Sequence, residues 1–183
     1  QVNHMSRLVD DLLDVSRIVR GKATLRMAPV ELAGFVGQAL EMARPQIDAM
    51  RHQVEVKLPG QPVHVRGDPV RLAQVLLNLL DNAAKYTPEG GSIRIEARVA
   101  GPVVEIRVRD SGIGIPADLL PRVFDLFQQG ERTLDRSQGG LGIGLTLVKR
   151  LVEMHGGVLE AESAGPGLGS TFTICLPLLP ALP

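Results

Sequence analysis

Apolar residues recur at helical spacing from the start of the chain. Val2, Met5, Val9, Leu12 and Val19 form a stripe that Leu8, Val15 and Ile18 widen, while Asp10, Asp11, Arg17 and Arg20 fill the other face. The pattern predicts a helix ending at Gly21, a natural C-cap. Residues 22–30 read as a connection with a short strand over Thr24–Met27, and a helix follows from Glu31 to near Met50, kinked at Pro45. Alternation predicts strands at 53–59 and 63–66. Asp68-Pro69 is a helix start, a side-chain cap followed by proline at the first helical position, and that helix runs to Tyr86 before stopping in TPEGG. A hairpin comes next: Ile93, Ile95, Ala97 and Val99 face one way, Arg94, Glu96 and Arg98 the other, and 103–110 returns. Residues 111–141 are irregular, with at most one short helix after Pro116. A helix over 142–155 and strands at 157–163 and 170–176 complete the pattern.

This order predicts an α+β fold, a two-layer α/β sandwich whose mixed β-sheet is covered on one face by helices. It lacks the regular βαβ alternation of a doubly wound sheet. The first helix has nothing before it to pack on, so the chain reads as a piece of a longer protein. The expected division is half of a helical hairpin at 1–21, a linker at 22–30, one domain at 31–177 and the start of a second linker at 178–183. The 183 residues, 44% of them hydrophobic, suit one compact domain and exclude wholesale disorder. Twenty basic and twenty acidic residues cancel, which argues against a broad nucleic-acid surface. The single Cys175 cannot form an internal disulfide, and no apolar run approaches the roughly 20 residues of a membrane span. A cytoplasmic, reducing setting is the expectation.

Three constellations point to chemistry. On the helix at 68–86, Leu72, Val75, Leu76, Leu79 and Ala83 form an apolar face, while Asn78, Asn82 and Lys85 share a polar stripe that ends beside Tyr86. Asn is a poor helix former, so a plain solvated face would favour Glu, Lys or Gln. Amide oxygens suit Mg²⁺, and a lysine farther on can hold phosphate. In VVEIRVRDSGIGIP, Asp110 shares parity with Val104, Ile106 and Val108 and so points into the helix-covered layer, where it needs a donor such as a heterocycle amino group. Gly112 and Gly114 would let main chain approach a flat ligand. In GGLGIGLTLVKR, Gly139, Gly140, Gly142 and Gly144 lead into a helix, the arrangement of an anion site. A dinucleotide fingerprint at GIGIPA is rejected because no long helix follows, and a Walker loop because its Gly-Lys-Ser/Thr ending is missing. GLGSTF at 167–172 adds a glycine turn before a strand.

Taken in order, these motifs resemble the ATP-binding domain of sensor histidine kinases. NLLDNAAKYT is similar to the family's asparagine box, DSGIGI and GGLGIGL to its glycine boxes, and FDLF (124–127) to its phenylalanine box. DDLLDVSRIVRGK resembles the second helix of its dimerisation hairpin, and FQQGERTLDRSQGGLGIGL looks most like hybrid kinases that also carry a receiver domain. The resemblance implies a Bergerat-type fold that binds ATP with Mg²⁺ and transfers phosphate to a histidine, for relay to a receiver aspartate. It implies that Asp110 accepts from the adenine amino group, that Asn82, with Asn78 beside it, holds Mg²⁺, and that Asn78 and Lys85 serve the transfer. Lys85 would touch phosphate and Tyr86 flank the nucleotide. Residues 128–141 would form a lid, with Gly140, Gly142 and Gly144 presenting amides to the phosphates, Leu145 beside them, and Arg136 or Arg132 reaching the terminal phosphate. Gly112 and Gly114 would approach the base, Thr171 would wall the adenine pocket, and Phe124 and Phe127 would pack the root of the lid. Implied partners are the protein's own dimerisation helices in a homodimer and a response-regulator receiver domain. The phosphoacceptor belongs on the first hairpin helix, which the chain lacks. His4, followed by Met5 instead of an acidic residue, does not fit it; His52 and His64 read as surface residues and His155 as a helix cap. Two other readings remain: an ATP-hydrolysing switch of the gyrase and chaperone type, against which an amide at Asn78 in place of an acidic base argues, and a pseudokinase scaffold.

Overall fold

The computed structural model describes residues 24–125 and 143–179. Strand β1 (Ala28–Glu31) precedes helix α1 (Leu32–Ala49) and strands β2 (Gln53–Lys57) and β3 (His64–Gly67). Helix α2 (Pro69–Tyr86) leads into the hairpin of β4 (Ser92–Ala100) and β5 (Val103–Asp110). A short 3-10 turn at Leu120–Arg122 is what forms after Pro116; helix α3 (Gly144–Met154), β6 (Val158–Glu162) and β7 (Ser170–Pro177) follow. The predicted first helix lies outside the described residues.

Five strands form one sheet in the order β2-β4-β5-β7-β6, with β2 parallel to β4 and all other neighbours antiparallel. The period-2 pattern decides which face is covered. Ile93 and Ile95 on β4, Val104, Ile106 and Val108 on β5, and Phe172, Ile174 and Leu176 on β7 are buried under the helices. Arg94, Glu96 and Arg98 on β4 and Arg107 and Arg109 on β5 line the open face, where Arg98 pairs with Glu105 at 2.7 Å. Helix α2 packs between α1 and α3, and its Leu72, Val75, Leu76, Leu79 and Leu80 are each at most 1% exposed. Burying each such leucine contributes about 2–3 kcal/mol, which makes α2 the best-anchored element of the helical layer. The fold is the mixed-sheet, one-sided sandwich that the pattern predicts.

Three details differ from expectation. The first strand is Ala28–Glu31 and not Thr24–Met27, because Val30 is the side chain that finds a buried place, paired with Val65 of β3. As the predicted span requires, helix α1 runs on through Pro45, which sits exposed on the water side, where the hydrogen bond it cannot make is left to solvent. At the other end, Leu178 bridges to Val65 and the Leu179 amide donates to the His64 carbonyl at 2.9 Å. Residues 28–30 and 178–179, expected in linkers, are therefore bound to the domain, one stretch on each side of β3. His52, expected at the surface, is only 8% exposed.

The N-terminus of α2 shows why Asp68-Pro69 is so clear a start. Asp68 Oδ1 accepts from the amides of Val70 (3.1 Å) and Arg71 (3.3 Å), and Oδ2 accepts from the Arg26 amide (2.9 Å). The Asp68 amide donates to His155 Nε2 at 3.0 Å, so the ring proton lies on Nδ1, which donates to the Leu151 carbonyl at 2.7 Å. His155 thus caps α3, as expected, and also ties that cap to the start of α2.

Burial pushes the Asp68 carboxyl up, but the amides of Arg26, Arg71 and Val70 and the charge of Arg71 outweigh it, so the group is held below its ordinary 3.8. A carboxyl with a lowered folded value stabilises the fold fully above its unfolded value of about 3.9 and loses that contribution as pH falls through the folded value. Asp68→Ala is expected to lose about 1–2 kcal/mol in urea unfolding at neutral pH. Asp68→Asn should lose stability less steeply than the native protein below about pH 4; parallel acid slopes would contradict this.

Candidate functional site

Helix α2 turns its polar stripe away from the core. Asn78 and Asn82 are half-buried, and the Asn78 Nδ2 atom is buried with no hydrogen-bond partner among the described residues. An unmatched buried donor costs about 1–3 kcal/mol, so it marks a place for an acceptor that the protein itself does not supply. One turn beyond Asn82, Lys85 Nζ lies 5.0 Å from the ring centre of Tyr86, which is 40% exposed.

Asp110 ends β5 on the covered face and is 7% exposed. Its Oδ1 accepts from the amides of Gly112 (2.8 Å) and Ser170 (3.3 Å), and its Oδ2 accepts a short hydrogen bond from Ser170 Oγ. The donor that this buried carboxylate is expected to need is supplied in part by the chain itself, which provides three. A carboxylate has about four acceptor positions, so one remains for a further donor. Ser170 was missed in favour of Thr171. Cross-strand partners share a face, and β7 pairs Ser170 with Asp110 but Thr171 with the exposed Arg109. Thr171 therefore lies on the open face and is no wall of a pocket under α2. The signal was present in the sequence, since Phe172, Ile174 and Leu176 place the even positions of β7 inward.

Main chain closes tightly around Asp110. The Tyr86 carbonyl accepts from the Ile113 amide (3.0 Å), the Ile113 carbonyl from the Gly167 amide (2.7 Å), and the Gly112 carbonyl from the Gly169 amide (3.0 Å). A Cβ on Gly112 would overlap the Tyr86 carbonyl oxygen. Gly114 has φ +70, and a Cβ there would run into the Gly165 carbonyl. Ser163, which no motif flagged, crosslinks these loops: its hydroxyl accepts from the Ile115 amide (2.9 Å) and donates to the Gly169 carbonyl (2.7 Å).

Helix α3 starts at Gly144 with no side chain capping its first turn, which leaves its first amides to other acceptors. Leu145 is half-buried against the core. Phe124 stands edge-on to Phe172, 6.3 Å between ring centres, and its carbonyl accepts from Thr146 Oγ1 at 2.8 Å. It ties the chain leaving β5 to α3 and β7, as a lid root would require. Phe127, Arg132, Arg136, Gly140 and Gly142 lie outside the described residues, as do Gly139 and His4. Two clefts of about 660 and 490 Å³ share Arg109 and Leu168, and Asp110 lines the first. Their linings contain none of Asn78, Asn82 and Lys85.

A family profile described as "Histidine kinase-, DNA gyrase B-, and HSP90-like ATPase" matches residues 67–180, from the end of β3 past β7. The chain belongs to this family. Within it, the similarity is to sensor histidine kinases. A solved structure of the mycobacterial sensor histidine kinase MprB is 33% identical and superposes with a TM-score of 0.73, covering 84% of this chain and 99% of that one. Full-length ShkA, solved in complex with AMPPNP, is 30% identical with a TM-score of 0.83 and covers 98% of this chain but 37% of its own. The circadian input-output histidine kinase CikA of Synechococcus elongatus is 38% identical over 176 residues, 95% of this chain. The chain spans 23% of CikA's length. The matched span takes in the helix that bears Asn78 and Asn82, the buried Asp110 and the glycine turns at 112–114 and 167–169.

The glycines divide by geometry. Gly114→Ala should lower the thermal midpoint by several degrees or prevent folding, because it joins a left-handed backbone to a steric overlap. Gly144→Ala, with open space around its Cβ and no positive φ, should melt close to the native protein. Equal midpoints for the two variants would contradict this placement.

Proposed function

We propose that this chain is the ATP-binding catalytic module of a two-component sensor histidine kinase. The observation that carries this reading is Asp110, a nearly buried carboxylate with an acceptor position left over, fixed by main chain against the end of the helix that bears Asn78, Asn82 and Lys85. A flat base with an exocyclic amino group fits that position, and the glycine loops let it lie close. The Asn78 donor left unmatched suits a phosphate oxygen or a bound water. The amide oxygens of Asn82 and Asn78 are the hard, neutral donors that Mg²⁺ accepts while it shares phosphate oxygens. Lys85 would place its charge on phosphate, Tyr86 would flank the nucleotide, and the uncapped start of α3, with Gly144 and Leu145, would face the phosphates. ShkA's capture with AMPPNP supports the nucleotide reading.

The reaction is transfer of the γ-phosphoryl group. An imidazole nitrogen on a dimerisation helix forms the new P–N bond, the bond to the β-bridging oxygen breaks, and ADP leaves. The domain contributes positioning and charge neutralisation. Arg136 or Arg132, with Gly140 and Gly142, would complete the phosphate contacts from the lid at 128–141. Residues 1–21 would be the second hairpin helix, and the assembly a homodimer that passes phosphate to a receiver aspartate in the cytoplasm. No helix among the described residues is long and apolar enough to cross a membrane.

Titration of the chain with Mg²⁺ and AMPPNP should show saturable binding that Asp110→Asn weakens at least about tenfold, the loss expected when a charged acceptor of a buried hydrogen bond is replaced. Mixed with ATP and a dimerisation hairpin that carries its acceptor histidine, the chain should transfer phosphate in trans. Undiminished binding by Asp110→Asn would overturn the adenine assignment, and steady turnover of many ATP per chain without an acceptor would favour the gyrase-type reading.

A further inference from the structure

The nucleotide reading uses the last turn of α2 but leaves open what holds that turn in place. Thr87 leaves the helix with φ −99 and ψ 126, so the helical ladder ends there and the next carbonyls need outside donors. All three carbonyls around the exit have one. The Tyr86 carbonyl accepts from the Ile113 amide at 3.0 Å, and the Pro88 carbonyl from the Gly91 amide at 3.0 Å. The Thr87 carbonyl is met by a side chain, His52 Nε2, at 3.0 Å, and the same nitrogen lies 3.2 Å from the Pro88 carbonyl.

Both partners of Nε2 are carbonyl oxygens, so Nε2 must carry the ring proton. The other nitrogen, Nδ1, is buried and without a partner among the described residues. The ring is thus held in place for one donor atom. It reaches the site from behind: His52 follows α1 and starts the turn into β2, and two main-chain bonds, Gly90 amide to Met50 carbonyl (2.9 Å) and Gln53 amide to Gly91 carbonyl (2.9 Å), lock that turn to the TPEGG loop. Ile113 grips the same exit from the front. Lys85 and Tyr86 are the last residues of the helix that these two holds fix.

We propose that His52 is a positioning residue of the nucleotide site, acting through the Thr87 and Pro88 carbonyls to fix the end of α2 from which Lys85 and Tyr86 reach the ligand. This inference rests on the nucleotide reading above. It assigns a task to a buried histidine outside the proposed nucleotide contacts, whose ring nitrogen reaches the two carbonyls of that turn, a place where a lysine or arginine would bring an unpaired charge.

The test is a double-mutant cycle on Mg²⁺–AMPPNP affinity in the 183-residue chain, with His52→Leu, His52→Gln and Lys85→Ala alone, and each His52 variant combined with Lys85→Ala. His52→Leu should weaken binding about fivefold, and His52→Gln, which keeps an N–H donor, should return within about twofold of the native chain. With Lys85 already removed, His52→Leu should add less than about twofold, because its effect passes through that side chain. Native affinity in His52→Leu would overturn the proposal, and so would an equal loss with and without Lys85, the behaviour of a change that only loosens the fold. Should His52→Leu fail to fold, the ¹⁵N spectrum of the native chain decides: a single Nε2–H tautomer at His52 whose signals shift on AMPPNP addition supports the proposal. An Nδ1–H tautomer, or signals indifferent to AMPPNP, overturns it. If neither Lys85→Ala nor Asp110→Asn weakens binding, the nucleotide reading itself falls, a result distinct from any failure of His52.

Discussion

At the end of α2 three stretches of main chain meet with no side chain between them, and the rest of the site is arranged around that contact. The α2 exit, the loop after β5 and the loop before β7 are joined carbonyl to amide, through Tyr86 to Ile113, Ile113 to Gly167 and Gly112 to Gly169. Contacts of this kind leave no room for adjustment, since a hydrogen bond loses its worth over a few tenths of an ångström and a methyl group at Gly112 has nowhere to go. The position of Asp110 relative to α2 is therefore set by backbone geometry and not by packing.

Helix α2 answers a conflict between anchoring and availability. One face carries leucines almost wholly out of water, while the other carries two half-buried asparagines and a lysine. The asparagines weaken the helix by a few tenths of a kcal/mol each, and the Asn78 amide is buried without a partner. Both costs are small beside the burial of five leucines and valines on the opposite face. A helix held only by its own propensity could not carry them. Local rules give way here because the tertiary packing is strong enough to overrule them.

What could be read from the sequence follows the same division. Periodicity located the helices, the hairpin and the covered face, because burial on one side leaves a mark at every second or third residue. Asp68-Pro69 and the glycine turns at 112–114 and 167–169 were legible because their chemistry is local. Three things were not. His52 looked like a surface residue, since its partners at 87 and 88 are distant in sequence and its neighbours Arg51 and Gln53 are polar. Asp110 looked short of donors because two of its three come from Ser170, 60 positions away. Thr171 was preferred to Ser170 by motif position, although strand parity already pointed to the serine. The family comparisons support the fold and the broad role of the chain; the parts played by single residues still rest on the geometry.

The small sheet around β3 has a mechanical meaning. β1 and the stretch at Leu178–Leu179 flank β3 on opposite sides, and both run antiparallel to it, so they run parallel to each other. A pull that draws Ala28 backward along the chain and Leu179 forward slides both outer strands lengthwise against β3. Such sliding strains several hydrogen bonds at once, whereas peeling a strand away would break them one by one. Positions 28 and 179 are thus coupled through β3 in shear, the geometry in which paired strands part least easily.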